Sequence, residues 1–196
     1  ENYLWRWDTD WFWCSKHFFF QHPLVRTIIG KKYLNSKTYM KLKNFAHTHP
    51  FLFSVFGKQK QRESVIQDVE IPIKQAEDFL DFFNREIGIT PVWICPVKIH
   101  NSMDKFQLYQ TDPKTIYVNF GFWDVISSHK PQGYFNRLIE QKVSELNGKK
   151  SLYSDSFYTQ KEFWKLYNGE AYQQLKETYD PENIFPNLYE KTVLRR

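Results

Sequence analysis

An α+β fold of the ferredoxin-like kind is what this sequence predicts: elements in the order β-α-β-β-α-β, an antiparallel sheet, and helices on one face. Three features predict it. The stretch SVIQDVEIPI sets Val65, Gln67, Val69 and Ile71 against Ile66, Asp68 and Glu70, the period of a half-buried strand. Two later stretches carry apolar residues at helical spacing and stop at Gly88 and at Asn147-Gly148. Two short apolar runs rich in β-formers, TPVWICPV and TIYVNFGFW, lie between those helices.

Taken in order, the first strand ends at Pro72. The helix after it, in KQAEDFLDFFNREIG, aligns Ala76, Phe79, Leu80, Phe83 and Ile87. TPVWICPV and TIYVNFGFW supply the middle strands, the second introduced by the turn signal TDPK. In YFNRLIEQKVSELNG the residues Phe135, Leu138, Ile139, Lys142, Val143 and Leu146 form one stripe of a second helix, and KKSLYS supplies a last strand. Beyond it, TQKE at 159–162 has the spacing of a capping box. Phe163, Trp164 and Tyr167 give the helix it starts a packing face, Gly169 interrupts, a second short helix runs from Ala171 to about Tyr179, and extended chain closes the sequence.

The first sixty residues are aromatic and basic, irregular or helical, and end in the polar run GKQKQRES, which reads as a linker or exposed loop. The predicted organisation is therefore 1–62, an aromatic and basic segment; 63–148, the sheet domain; and 149–196, a C-terminal segment. At 196 residues and 41% hydrophobic the chain can bury a core, which excludes a disordered chain. WRWDTDWFWCSKHFFF, at 5–20, places eight aromatic side chains in sixteen positions, but Arg6, Asp8, Asp10 and Lys16 break it, so a membrane-spanning helix is not expected. No continuous apolar core of a secretory signal occurs, and a chain beginning at Glu1 reads as part of a longer protein. Cys14 and Cys95 give no disulfide framework, which points to a reduced, cytoplasmic chain. The formal charge of +5 permits anionic partners and equally describes a solvated lysine-rich surface.

Few residues advertise chemistry. With seven glycines the chain has neither a G-x-G-x-x-G nor a P-loop. HTH at 47–49 has no Cys, Asp or Glu companion close by in sequence, so an exposed loop is expected rather than a metal site. Cys95 reads as a buried core residue, since no His or cation adjoins it to activate a thiol. GKKSLYSD, 148–155, gathers lysines, Tyr153, serines and Asp155 at a crossing between elements; it reads either as a ligand-facing junction or as a plain strand-loop junction.

VIQDVEIPI, PVWICPV and LYSDSFYTQKEFWKLYNGEAYQQLKETYDPENIFPNLYEK together resemble the C-terminal part of the Δ24-sterol reductase family and its bacterial FAD-linked relatives. The resemblance covers about residues 63–193, and the aromatic opening with its later HP fits it as well. It implies a flavoprotein of the vanillyl-alcohol-oxidase type, in which an N-terminal domain binds FAD and a cap built on an antiparallel sheet covers the isoalloxazine. The segment after Gly148 would return to the flavin domain and complete it, with Lys150, Tyr153 and Ser154 as candidate cofactor contacts. Some relatives carry a lysine a few residues beyond a Leu-Tyr pair; the position here is Ser156, which places a catalytic lysine in doubt.

The activity implied is hydride transfer through flavin N5 to or from a C=C or CH-CH unit of a sterol-like or other lipid, with a proton from a side chain or water. The candidate proton donors are Tyr153, Asp155 and Tyr117; Trp93, Cys95 and Asn119 are candidates for lining the substrate site. Trp7 and Trp11 either line a lipid route or pack against the flavin domain. Spacings of two favour extended chain over residues 3–9, with Trp5 and Trp7 on one side and Arg6 on the other. Arg6, Lys16 and the lysines at 31, 32, 37, 41 and 43 would suit a peripheral contact with anionic lipid headgroups. The contrasting reading is a non-enzymatic ferredoxin-like module that binds RNA or an anionic membrane surface; without an RNP-type glycine-aromatic pattern, no nucleic-acid partner is expected.

Overall fold

The computed structural model describes residues 22–33, 36–48, 61–101 and 106–195. The chain divides into two compact units, Glu1–Lys60 and Gln61–Arg196.

In the first unit, α1 (Pro23–Ile29) begins with proline at its first turn, and the His22 Nδ1 accepts the Leu24 amide at 3.3 Å. Gly30, at φ 74°, ends it in a conformation that glycine adopts without strain. A 3₁₀ turn (Lys31–Tyr33) and α2 (Ser36–Thr48) follow.

The second unit is α+β. Strands β1 (Gln61–Pro72), β2 (Trp93–Val97), β3 (Tyr117–Ser128) and β4 (Lys149–Lys150) form one sheet in the order β2-β3-β1-β4. Every neighbouring pair is antiparallel. Helix α3 (Ala76–Glu86) joins β1 to β2, and α4 (Tyr134–Glu145) joins β3 to β4, which gives the β-α-β-β-α-β order read from the sequence. Both helices pack on one face. Val65, Val69 and Ile71 of β1, Phe120 and Phe122 of β3, Phe79 and Phe83 of α3, and Ile139 and Val143 of α4 are all within 2% of full burial and form the core. Burial of each large apolar side chain is worth about 1.5–3 kcal/mol. α3 ends where predicted: Gly88, at φ 68°, donates its amide to the Phe83 carbonyl at 2.9 Å.

Four expectations are corrected. Half of GKQKQRES is strand rather than loop, because β1 already begins at Gln61. The buried Glu63 carboxylate accepts the amides of Phe135 (3.3 Å) and Asn136 (2.9 Å), which have no intrahelical partner at the start of α4. The last strand is only two residues long: Ser151 still donates its amide to the Asp68 carbonyl at 2.9 Å, and the chain then turns away. β2 lies at the sheet edge, so Trp93 and Ile94 are half exposed and Cys95 is not a core residue. The closing segment is not extended, since Glu190–Leu194 forms a π-helical turn started by reciprocal bonds between Asn187 and Glu190 at 2.8 and 2.9 Å.

Between β4 and that turn lie α5 (Gln160–Leu166) and α6 (Gly169–Tyr179). The capping box forms: Thr159 Oγ1 accepts the Glu162 amide, and the Glu162 carboxylate accepts the Thr159 amide at 2.8 Å. Phe163, Tyr158 and Tyr167 make a second aromatic core, and the Tyr167 hydroxyl donates to the Lys150 carbonyl at 2.8 Å, tying α5 to β4.

Candidate functional site on the helix-free face of the sheet

Alternation along a strand sends successive side chains to opposite faces, so the register assigns every residue to a side. Tyr117, Asn119, Gly121 and Trp123 of β3 lie opposite Pro72, Glu70, Asp68 and Ile66 of β1. On the other flank of β3, Trp93, Cys95 and Val97 of β2 lie opposite Gly121, Asn119 and Tyr117. All of these are out of phase with the core, and neither α3 nor α4 covers them.

At the centre stands Glu70. Its Oε1 accepts from Asn119 Nδ2 at 2.8 Å, and its Oε2 accepts a short hydrogen bond from the Tyr109 hydroxyl. Burial raises the Glu70 carboxyl above the ordinary range, against the opposing pull of those two donors, with the Asp68 carboxylate adding to the rise. Burial and the adjacent Glu70 charge raise the Tyr109 hydroxyl as well. Tyr117, almost fully buried, accepts the Asp112 amide at 3.0 Å, and no described residue accepts its proton. The TDPK turn supports that contact, as Asp112 also accepts from the Lys114 amide and the Thr115 hydroxyl at 3.0 and 2.7 Å. Glu70, Tyr109 and Tyr117 line a groove of about 430 Å³ whose apolar wall is Val97, Ile99 and Phe106.

Two residues along the sheet, Gly121 allows a close packing that any side chain would block. A Cβ there would stand 2.3 Å from Asp68 Oδ1, 3.1 Å from the Trp123 ring and 3.3 Å from Trp93 Cβ. Tyr153, 57% exposed, reaches Asp68 from the segment after β4; burial raises its hydroxyl, as do the charge of Asp68 and the hydrogen bond to it.

The structure thus brings together five of the residues singled out in the sequence: Tyr117, Asn119, Trp93, Cys95 and Tyr153. It does not bring Lys150, Ser154 or Asp155 to them. Lys150 is opposite Val69 and so points to the helix side. There its ammonium donates to Glu140 Oε1 (2.9 Å), Ser156 Oγ (2.8 Å) and the Asp155 carbonyl (2.5 Å), with Glu140 itself accepting the Phe157 amide. Burial lowers the Lys150 ammonium and raises the Glu140 carboxyl, each opposed by the attraction of the other. Ser154 Oγ is buried without a hydrogen-bond partner among the described residues, and Asp155 pairs with Arg195 at 2.5 Å. Trp7, Trp11 and the predicted extended stretch 3–9 lie outside the described residues, as does His49. Among the described residues no group of three His, Cys, Asp or Glu could hold a metal ion. Nor, among them, is any helix long and apolar enough to cross a membrane.

Sequence reasoning missed Glu70, Asp68, Gly121 and Tyr109. The first three had a signal: the two carboxylates alternate out of phase with the core of β1, and a glycine interrupts β3. Tyr109 sits in a connection with no periodicity to mark it. A larger cavity, about 630 Å³, opens beside α4 and α5 and includes Arg137, Glu140 and Lys165; none of the helix-free cluster reaches it.

Comparison with known proteins agrees with the resemblance read from the motifs. The Δ24-sterol reductase of Homo sapiens is 27% identical over 135 residues, covering 68% of this chain and 26% of the reductase. The Caenorhabditis elegans homolog is 28% identical over 142 residues, 70% of this chain and 26% of its own, and the Arabidopsis thaliana reductase is 27% identical over 145 residues, 65% and 26%. The chain spans about a quarter of the length of these curated relatives. No family model and no solved structure matches it.

Proposed function

We propose that this chain is the substrate-covering part of an FAD-linked oxidoreductase that acts on a carbon–carbon double bond of a sterol or similar lipid. The reading rests on similarity to proteins named Δ24-sterol reductase and, above all, on one observation: a polar cluster and an apolar groove share the helix-free face of the sheet. A mostly apolar ligand gains affinity by burial against such a wall and orientation from a few polar groups. Residues 63–148 act as the cap, and residues after Gly148 complete a flavin-binding domain outside this chain.

Tyr153 and Trp93, both half exposed, are the residues of this face that would meet the edge of a flavin ring held by the flavin-binding domain, and no glycine-rich loop is present to hold its pyrophosphate. FAD held there would supply two-electron hydride chemistry. The chain's own tasks are to seat the lipid along Val97, Ile99 and Phe106, to exclude water, and to hold a proton at the groove through Tyr117 or its neighbours. Cys95 and Asn119 face the same space from the edge and centre of the sheet. Asp155, turned to Arg195, serves the junction with the flavin domain in this reading.

A nucleic-acid platform is not favoured. Asp68 and Glu70 stand in the middle of the face on which bases would stack, where carboxylates repel phosphate. The test of the main reading is to assemble the chain with its flavin-binding part and supply a sterol bearing a side-chain double bond. Saturated product is expected, with Tyr117→Phe and Trp93→Ala lowering turnover and lipid affinity respectively. Failure of the assembled protein to retain flavin and to bind the sterol would overturn it.

A further inference from the structure

We propose that Glu70 and Tyr109 form a proton-sharing pair that supplies the groove, with Glu70 as the residue that delivers the proton to the lipid double bond. This rests on the reading above and adds to it the acid.

The geometry carries the inference. Among the groove-lining residues Glu70 is the carboxyl group, and both of its oxygens are already held, one by Asn119 at 2.8 Å and the other by Tyr109. Each carboxylate oxygen has two acceptor sites, so one site on each remains for a proton or for the ligand. The two donors fix the plane of the carboxyl group, as a proton donor to carbon requires, since a carbon π bond cannot pull a mobile acid into line by hydrogen bonding. The tyrosines suit the task less well. Tyr109 has its proton on Glu70, and burial makes its hydroxyl a weaker acid than an ordinary phenol. A carboxyl group raised by burial is a proton donor nearer to neutral pH than either an ordinary carboxylate or a phenol.

Among the described residues, the charged and titratable groups around Glu70 are these. Asp68 stands two positions before it on β1; Lys149 is its register partner on β4, with the ammonium donated to the Leu166 carbonyl at 2.8 Å; Tyr153 and Tyr167 are near enough to feel its charge; Lys98 and His100 line the groove with it. Lys149, lowered by burial and held by Leu166, is directed away from the carboxyl group. In the step, the Glu70 O–H bond breaks and a C–H bond forms at one alkene carbon from the π electrons; a reduced flavin held in the assembled protein would supply the hydride for the other carbon and would end oxidised. The glutamate is left as carboxylate, still held by Tyr109 and Asn119, and regains a proton from water at the groove mouth.

The test begins with the chain itself, without cofactor. Infrared titration should show a protonated-carboxyl stretch that persists above the pH range of ordinary glutamates and vanishes in Glu70→Gln. Because Tyr109 donates to the carboxylate and so favours its charged form, Tyr109→Phe should move that titration to higher pH; Asn119→Ala should do the same. A titration at ordinary pH, or one that Tyr109→Phe leaves in place, overturns the pairing regardless of enzymatic activity. In the assembled protein, Glu70→Gln should abolish reduction by at least a hundredfold with flavin and sterol binding retained, Glu70→Asp should keep a measurable rate, and Tyr109→Phe should shift the pH profile upward. Full activity in Glu70→Gln overturns the assignment of the acid while leaving the proposed function standing.

Discussion

Lys150→Met separates a structural lysine from a cofactor ligand. Methionine keeps most of the volume and removes the ammonium. Lys150 is fully buried, and its three donors go to Glu140, Ser156 and the Asp155 carbonyl. Without it the Glu140 carboxylate, 2% exposed, keeps the Phe157 amide and the weaker attraction of Arg137, but no hydrogen-bonded cation. Removing one partner of a buried ion pair costs about 3–5 kcal/mol, because the other charge is stranded. In urea, with slopes of about 1–3 kcal/mol per molar, that is a fall of about 1–5 M in midpoint. Glu140→Gln added to Lys150→Met removes the stranded charge while leaving an acceptor for Phe157. The double variant should recover to within about 1–3 kcal/mol of the parent, the remainder reflecting the donor lost to Ser156 and Asp155. The assay is urea unfolding of the parent, both single variants and the double, read as a cycle. A Lys150→Met variant within about 1 kcal/mol of the parent would refute the reasoning. If that variant also lost flavin in the assembled protein, Lys150 would be a cofactor ligand after all.

Gly121→Ala should lower the melting temperature, since the new methyl meets Asp68 Oδ1 at 2.3 Å and Trp93 Cβ at 3.3 Å in space those side chains already fill; an unchanged melting temperature would contradict that crowding. Thr159→Ala should cost about 0.5–2 kcal/mol, the usual worth of an N-cap, in urea unfolding at neutral pH. Hydrogen bonds from the Thr159 amide and hydroxyl hold the Glu162 carboxyl below the ordinary glutamate range; Thr159→Ala removes only the hydroxyl bond, so that part of the penalty is complete above the unfolded value and disappears as pH falls through the folded one, and a penalty that does not shrink at all on acidification would contradict it. Asp155→Ala should change stability by about 1 kcal/mol or less, as its partner Arg195 is largely exposed, so a larger loss of flavin retention in the assembled protein would mark the junction role. The chain alone should purify colourless, and a flavin absorbance band co-eluting in stoichiometric amount would show that it holds the cofactor unaided.

The sheet was legible because its strands are amphipathic in a simple way. In β1 the residues at 63, 65, 67, 69 and 71 are buried and their neighbours are not, the alternation visible in the sequence from Val65 onward. Helices α3 and α4 were legible for the same reason at a different period, and Thr159 with Glu162 announced α5. What failed was whatever depended on partners distant in sequence. Glu63 looks like part of a polar linker until Asn136 supplies amides for it, a contact that spans seventy-three positions. Lys150 looks like a residue for a ligand until Glu140 is folded against it. Cys95 looks buried because apolar runs usually are, and it becomes partly exposed only once the strand order makes β2 an edge. The candidate site was half legible: Tyr117, Asn119, Trp93 and Cys95 share a face by parity, while Glu70 needed the pairing of β1 with β3, and Tyr109 a loop path that no pattern encodes.

The two faces of the sheet treat polar groups differently, and the difference bears on what covers the helix-free side. On the helix side, Glu63, Asn136, Glu140, Lys150 and Ser156 are bonded to one another or to nearby backbone, and Gln67 donates to Asn136 while its Oε1 has no partner among the described residues. On the opposite side, the Tyr117 hydroxyl has no acceptor among the described residues and Tyr153 and Trp93 remain half exposed, beside a Glu70 that Tyr109 and Asn119 already hold. A purely apolar interface laid over bare carboxylates would strand them at a cost of several kcal/mol. Because Glu70 brings its own donors, an apolar molecule can cover it without supplying a cation or an amide. That arrangement suits an uncharged hydrocarbon ligand with one reacting centre, and it disfavours an anionic one, which would meet Asp68 and Glu70 together.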